Sequence, residues 1–224
     1  MCKTNKNISD KTISGIIYYV EILNNININF FKLISLDCID NMNILKNIYL
    51  DICSQTNMII QTQIDYSITD ISDINRLKLC TKNQGINKYK TDFNYLEKDI
   101  NSIFSKNQSV LYNMKRIRNK IEHDLDTISL NELHSGSGIC GVKFTLNNQD
   151  ISINSNDIQK IVTDLNSLFY KMIKDIDDFI SKNDSDNYYH PFYKNLRRYR
   201  FDRYNKIIKS SILYDVSVFI NNMN

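Results

Sequence analysis

The sequence predicts an all-α protein: a helical bundle carrying one small β-hairpin near residues 142–153. Three observations predict it. Apolar residues recur at three- and four-residue steps over most of the chain. The strongest such run, residues 154–184, places Ile158, Ile161, Leu165, Leu168, Met172, Ile176 and Phe179 on one stripe. Only GVKFTLNNQDISI, residues 141–153, alternates instead, on both sides of a polar NNQD turn.

Taken in order, residues 12–60 are expected to be helical. Ile44, Ile48, Leu50 and Ile52 can share a broad buried face there. Residues 64–92 are broken and polar, a connection with a short helix near 73–79. Two helices follow, at about 95–105 and 109–127. HSGSG, residues 134–138, holds two of the five glycines and is expected to be a loop. After the hairpin, Ser155 or Asn156 can cap the long helix. The last segment, about 188–224, starts near Pro191 at a first-turn position and is dense in aromatics and arginine. With no internal repeat and no linker, residues 1–224 are expected to form a single domain.

Charge is balanced, with 28 basic against 25 acidic residues. That excludes a globally basic nucleic-acid binder and leaves room for a local basic patch. Asn, Ile, Lys, Asp and Tyr abound while Ala and Trp are absent, as A/T-rich codons would produce. Cys2, Cys38, Cys53, Cys80 and Cys140 are all at least 15 residues apart, so no metal-knuckle spacing occurs. They are expected to be structural thiols in a reducing cytoplasm, given that no secretory signal is visible. His123 and His134 with Glu122 and Glu132 match no familiar metal-ligand pattern, and GSG at 136–138 lacks the Gly-Lys-Ser/Thr ending of a phosphate loop. No metal or other cofactor is expected. No apolar run nears the roughly 18–20 residues that span a bilayer, so no membrane partner is expected either.

The stretch RIRNKIEHDLD, residues 116–126, holds one of the three histidines. On a helix, Met114, Ile117, Ile121, Leu125 and Ile128 make one core-facing stripe. Asn119 and His123, four apart, lie together on the far side; Arg118 and Glu122 lie on a flank. Arg118 and His123 diverge by about 140° around the axis, so one helix does not join them. A solvated face with i,i+4 pairs would use the same residue types.

RNKIEH, Arg118 to His123, is arginine, a polar residue, three further residues, then histidine. It resembles the signature of the HEPN superfamily of helical nucleotide-binding domains. The resemblance covers about residues 95–180 and implies a HEPN-like antiparallel helical bundle. It also implies a metal-independent endoribonuclease whose motif helices, one from each subunit of a homodimer, line one cleft. There the ribose 2′-hydroxyl attacks the adjacent phosphate, leaving a cyclic phosphate and a 5′-hydroxyl. The catalytic residues carried over are His123 as general acid or base, Arg118 for the phosphate and its transition-state charge, and Asn119 for orientation. Prokaryotic defence or toxin biology, with a cognate antitoxin or regulatory protein as partner, belongs to the same implication. The tyrosine that antitoxin-paired members often carry two residues after the histidine is Leu125 here. Other members of the superfamily are non-catalytic binding or adaptor modules acting through protein–protein contacts.

From Tyr188 to Lys209 there are seven Lys or Arg against a single acid, Asp202. Lys194, Arg197, Arg198, Arg200 and Arg203 are candidate RNA-binding residues, interleaved with tyrosines and phenylalanines able to stack on bases. The same pattern would also suit an amphipathic helix packed internally.

Overall fold

The computed structural model describes residues 8–35, 42–68, 73–80, 84–123, 129–135, 138–146 and 149–183. Its α-helices are α1 (Asp10–Ser35), α2 (Met42–Ile59), α3 (Leu96–Lys106), α4 (Gln108–His123) and α5 (Ser155–Asn183). The strands are β1 (Thr62–Ile64), β2 (Leu77–Leu79), β3 (Ser129–Ser135), β4 (Gly138–Leu146) and β5 (Gln149–Asn154). The chain is thus mostly helical, as its periodicity predicts, with a two-stranded and a three-stranded antiparallel sheet where a single hairpin is expected.

Ser9 starts α1. Its hydroxyl accepts the Thr12 amide N–H at 3.1 Å, an N-cap worth about 1 kcal/mol. The Thr12 hydroxyl in turn donates to Asp92, tying the start of α1 to the turn before α3. From there α1 buries Ile13, Ile16, Val20, Leu23, Ile26 and Phe30 at helical spacing. It packs against α2 and α5, while α3 and α5 also meet. The α5 stripe is buried from Ile158 to Ile176, and Phe179 packs at its edge. Each such side chain removed from water contributes roughly 1.5–3 kcal/mol, so this seam is the main cohesive term.

α2 departs from expectation at one position. Ile48, Leu50 and Ile52 are buried, but Ile44 is 50% exposed, because the inward face of the first turns is taken by Leu45. Cys53 is wholly buried and its burial pushes the thiol up to about 12. It is a core residue, as expected; Cys80 is half-buried.

The connection after α2 is more ordered than its polarity suggests. β1 pairs antiparallel with β2, Thr62 opposite Leu79 and Ile64 opposite Leu77. The short helix expected near 73–79 is a 3-10 turn, Asp73–Arg76, running straight into β2. A second 3-10 turn, Gly85–Tyr89, follows. Gly85 has φ +58°, and a side chain there would meet the Ile59 carbonyl, so glycine is required.

The predicted hairpin is present as β4 and β5, from Gly141 opposite Asn154 to Leu146 opposite Gln149. Ile151 and Ile153 are buried, and the intervening Ser152 is exposed. A third strand, β3, takes up the start of the stretch expected to be a loop at 134–138, whose residues 136–137 lie outside the described residues. His134 pairs with Ile139 and Ser135 with Gly138, so both belong to the sheet. The register shifts between the Leu133–Gly141 and His134–Ile139 pairs, so that Cys140 is the extra residue, on β4.

Candidate functional site

The motif helix is α4, and its placement is built from polar contacts at four points. Asn107 is the single residue between α3 and α4. Its side-chain amide donates to the Ile103 carbonyl at 2.9 Å and to Asp164 of α5 at 3.3 Å. Its own carbonyl accepts from the Leu111 N–H, opening α4. Gln108 then donates to the Ile74 carbonyl at 3.1 Å, and Asn113 to the Ser152 carbonyl of β5 at 3.3 Å. Lys115 donates to Asn57 Oδ1 of α2 at 3.4 Å, the same oxygen that receives the Thr62 hydroxyl at 3.1 Å. Leu111, Met114 and Ile117 fill the core beneath.

This anchoring leaves Arg118 and Asn119 half-buried, Arg118 on the flank of the core-facing stripe and Asn119 about 140° around the axis from Met114. Arg118 Nη1 donates to Asn119 Oδ1 at 3.4 Å. Asn119 Nδ2 donates onward to the hydroxyl of Tyr66 at 3.5 Å, across from the turn after β1. Both contacts are at the long end of hydrogen bonding. Arg116, one turn after Tyr112, lies over that ring at 5.6 Å from its centroid.

The turn bearing Tyr66 is held by Asp65. Its carboxylate accepts the Ser67 N–H at 3.0 Å and pairs with Lys78 Nζ at 2.8 Å. Lys78 and the Ser67 donors together hold the carboxyl down at about 2. On the neighbouring strand end, burial raises the Cys80 thiol, opposed by the charge of Lys115.

The structure therefore brings Arg118 and Asn119 together and adds Tyr66 beside them. His123 is the last residue of α4. With α4 helical throughout, it lies about 140° around the axis from Arg118; its side chain is outside the described residues. So are Lys194, Arg197, Arg198, Arg200 and Arg203. Among the described residues no group of His, Cys, Asp and Glu is arranged to hold a metal ion, and no helix is long and apolar enough to cross a membrane. Tyr66 carried no motif signal: it lies 53 residues before Asn119, within a polar connection.

No protein-family model, no curated protein and no solved structure matches the chain.

Proposed function

We propose that the chain is a metal-independent endoribonuclease with a composite site formed by two copies of α4 in a homodimer. The observation that carries this reading is the Arg118–Asn119 pair, held half-buried at the surface of a helix whose other face is fixed in the core. Arg118 supplies a permanent planar cation for a phosphodiester and for the extra charge of its pentacoordinate transition state. Asn119 supplies an amide that orients a phosphate oxygen or the imidazole. His123 takes the proton from the ribose 2′-hydroxyl as that oxygen bonds to phosphorus. The P–O5′ bond breaks, and the same histidine of the second copy gives a proton to the leaving 5′-oxygen. The divergence of Arg118 and His123 around one helix favours a site completed by a second helix.

Lys194, Arg197, Arg198, Arg200 and Arg203 are proposed to extend the RNA-binding surface. A role in prokaryotic defence or toxin biology, with a regulatory or antitoxin partner, is part of the same proposal and follows from the RNxxxH resemblance alone.

The test is cleavage of single-stranded RNA in EDTA by the native protein and by His123→Ala. Loss of cleavage in the variant supports the assignment. Equal cleavage by both removes it, and no cleavage by either favours an adaptor role for the same helix face.

A further inference from the structure

We infer that Tyr66 is the base-stacking platform of the proposed ribonuclease site, which therefore takes unpaired RNA and not duplex; this rests on the ribonuclease reading. Tyr66 is 73% exposed, more than any other large hydrophobic side chain among the described residues. A single exposed tyrosine is ordinary; what singles this one out is its hydroxyl contact with Asn119, which in turn accepts from Arg118.

The exposure is not that of a loose loop. The Asp65 N–H donates to the Arg76 carbonyl at 2.9 Å, the Ser67 N–H donates to Asp65 at 3.0 Å, and Lys78 closes the turn from β2. Tyr66 is thus held outward on a braced turn. Its hydroxyl reaches Asn119, which places the ring within one side chain of the Arg118 guanidinium.

The surrounding charge selects the ligand. Lys115, Arg116 and Arg118 lie along the adjoining helix. Asp65, next to Tyr66, is paired with Lys78, which offsets its repulsion of an incoming phosphate. A flat aromatic face beside cations is matched by a nucleotide whose base is unstacked and whose phosphate is anionic. A duplex keeps its bases stacked on one another and offers no free face to the ring.

The experiment is fluorescence anisotropy with a labelled single-stranded RNA and a duplex of the same sequence, using His123→Ala to keep the RNA whole. Adding Tyr66→Ala should weaken single-strand binding by about 5- to 150-fold, while Tyr66→Phe stays within about twofold. Duplex binding should change with neither. Unchanged binding by Tyr66→Ala overturns the inference and leaves the exposed ring to a protein partner. An equal loss in Tyr66→Phe also overturns it, because the hydroxyl and not the ring face would then carry the contact. Sedimentation of the same samples gives a third readout: a Tyr66→Ala protein that has become monomeric places the residue in the dimer interface. If the parent chain binds no RNA and cuts none, the ribonuclease reading fails first and this one with it.

Discussion

Asn27 of α1 and Asn166 of α5 donate to one another across the core, at 2.9 and 2.8 Å, with neither side chain exposed. Asn27 also donates to the Leu23 carbonyl at 2.9 Å. The pair is self-contained: each amide satisfies the other, and only one lateral and axial placement of the two helices allows it. Apolar packing alone tolerates sliding by a turn; this pair does not.

Either single replacement, Asn27→Leu or Asn166→Leu, should cost about 1–3 kcal/mol in urea unfolding, because the surviving amide is left dry and unpaired. The double variant should be less destabilised than the sum of the two, since no orphan remains. Strict additivity would show that the two amides do not act as a unit.

Gly15 should behave against its helix propensity. Glycine to alanine inside a helix ordinarily gains roughly 1 kcal/mol. Here the added Cβ would lie 1.6 Å from Tyr89 Oη and 2.5 Å from its Cζ. Tyr89 is itself buried, edge-on to Tyr19 at 6.3 Å, and cannot simply swing into water. Gly15→Ala is therefore expected to lose roughly 1–3 kcal/mol by overpacking, with a lower Tm. In a double-mutant cycle, Gly15→Ala should cost less in a Tyr89→Ala background than in the native chain. A rise in Tm for Gly15→Ala would show that α1 and the Gly85–Tyr89 turn are not docked this way.

Asn107 links stability to the site. Asn107→Ala removes the donors to Ile103 and Asp164 and should cost about 1–2 kcal/mol. Because Asn107 sets where α4 begins, the same change should lower kcat/KM for RNA cleavage under conditions where the protein stays folded. A stability loss with cleavage untouched would separate this hinge from the placement of Arg118 and Asn119.

The turn bearing Tyr66 should be pH-sensitive only in acid. Asp65 is held at about 2, below its unfolded value, so its contribution is present above about pH 4 and is lost as pH falls through 2. NMR shifts of the Ser67 amide and Tyr66 ring should move in that window and stay flat in Asp65→Asn. A midpoint near 4 in the native chain would mean that Lys78 and Ser67 do not hold the carboxylate.

The helices were legible because their stripes are long: the 29 residues of α5 repeat an apolar face seven times from Ile158 to Phe179. β3 was not legible. Leu130 and Leu133 stand three apart, which imitates a helix, and Asn131, Glu132 and His134 between and beyond them give no apolar alternation that would mark a strand. β1 and β2 are three residues each, too short for any period to emerge. Ile44 was placed inward because apolar spacing alone cannot choose between it and Leu45. Buried Asn27 and Asn166 look like any other asparagine in a chain rich in them; only a partner 139 residues away distinguishes them. The site divides in the same manner. Arg118 and Asn119 could be found because their spacing to His123 is local, whereas Tyr66 joins them only through the pairing of β1 with β2.

The most direct test of the proposed chemistry is end analysis of RNA cut by the native protein in EDTA, beside the same RNA carrying a 2′-deoxy sugar at the cut position. The expected result is a 2′,3′-cyclic phosphate and a 5′-hydroxyl from the all-ribose strand. No cut should occur at the deoxy position, and none with Arg118→Ala or His123→Ala. Cleavage that proceeds at the deoxy sugar, or that leaves 5′-phosphate ends, would contradict 2′-hydroxyl attack and the roles given to Arg118, Asn119 and His123.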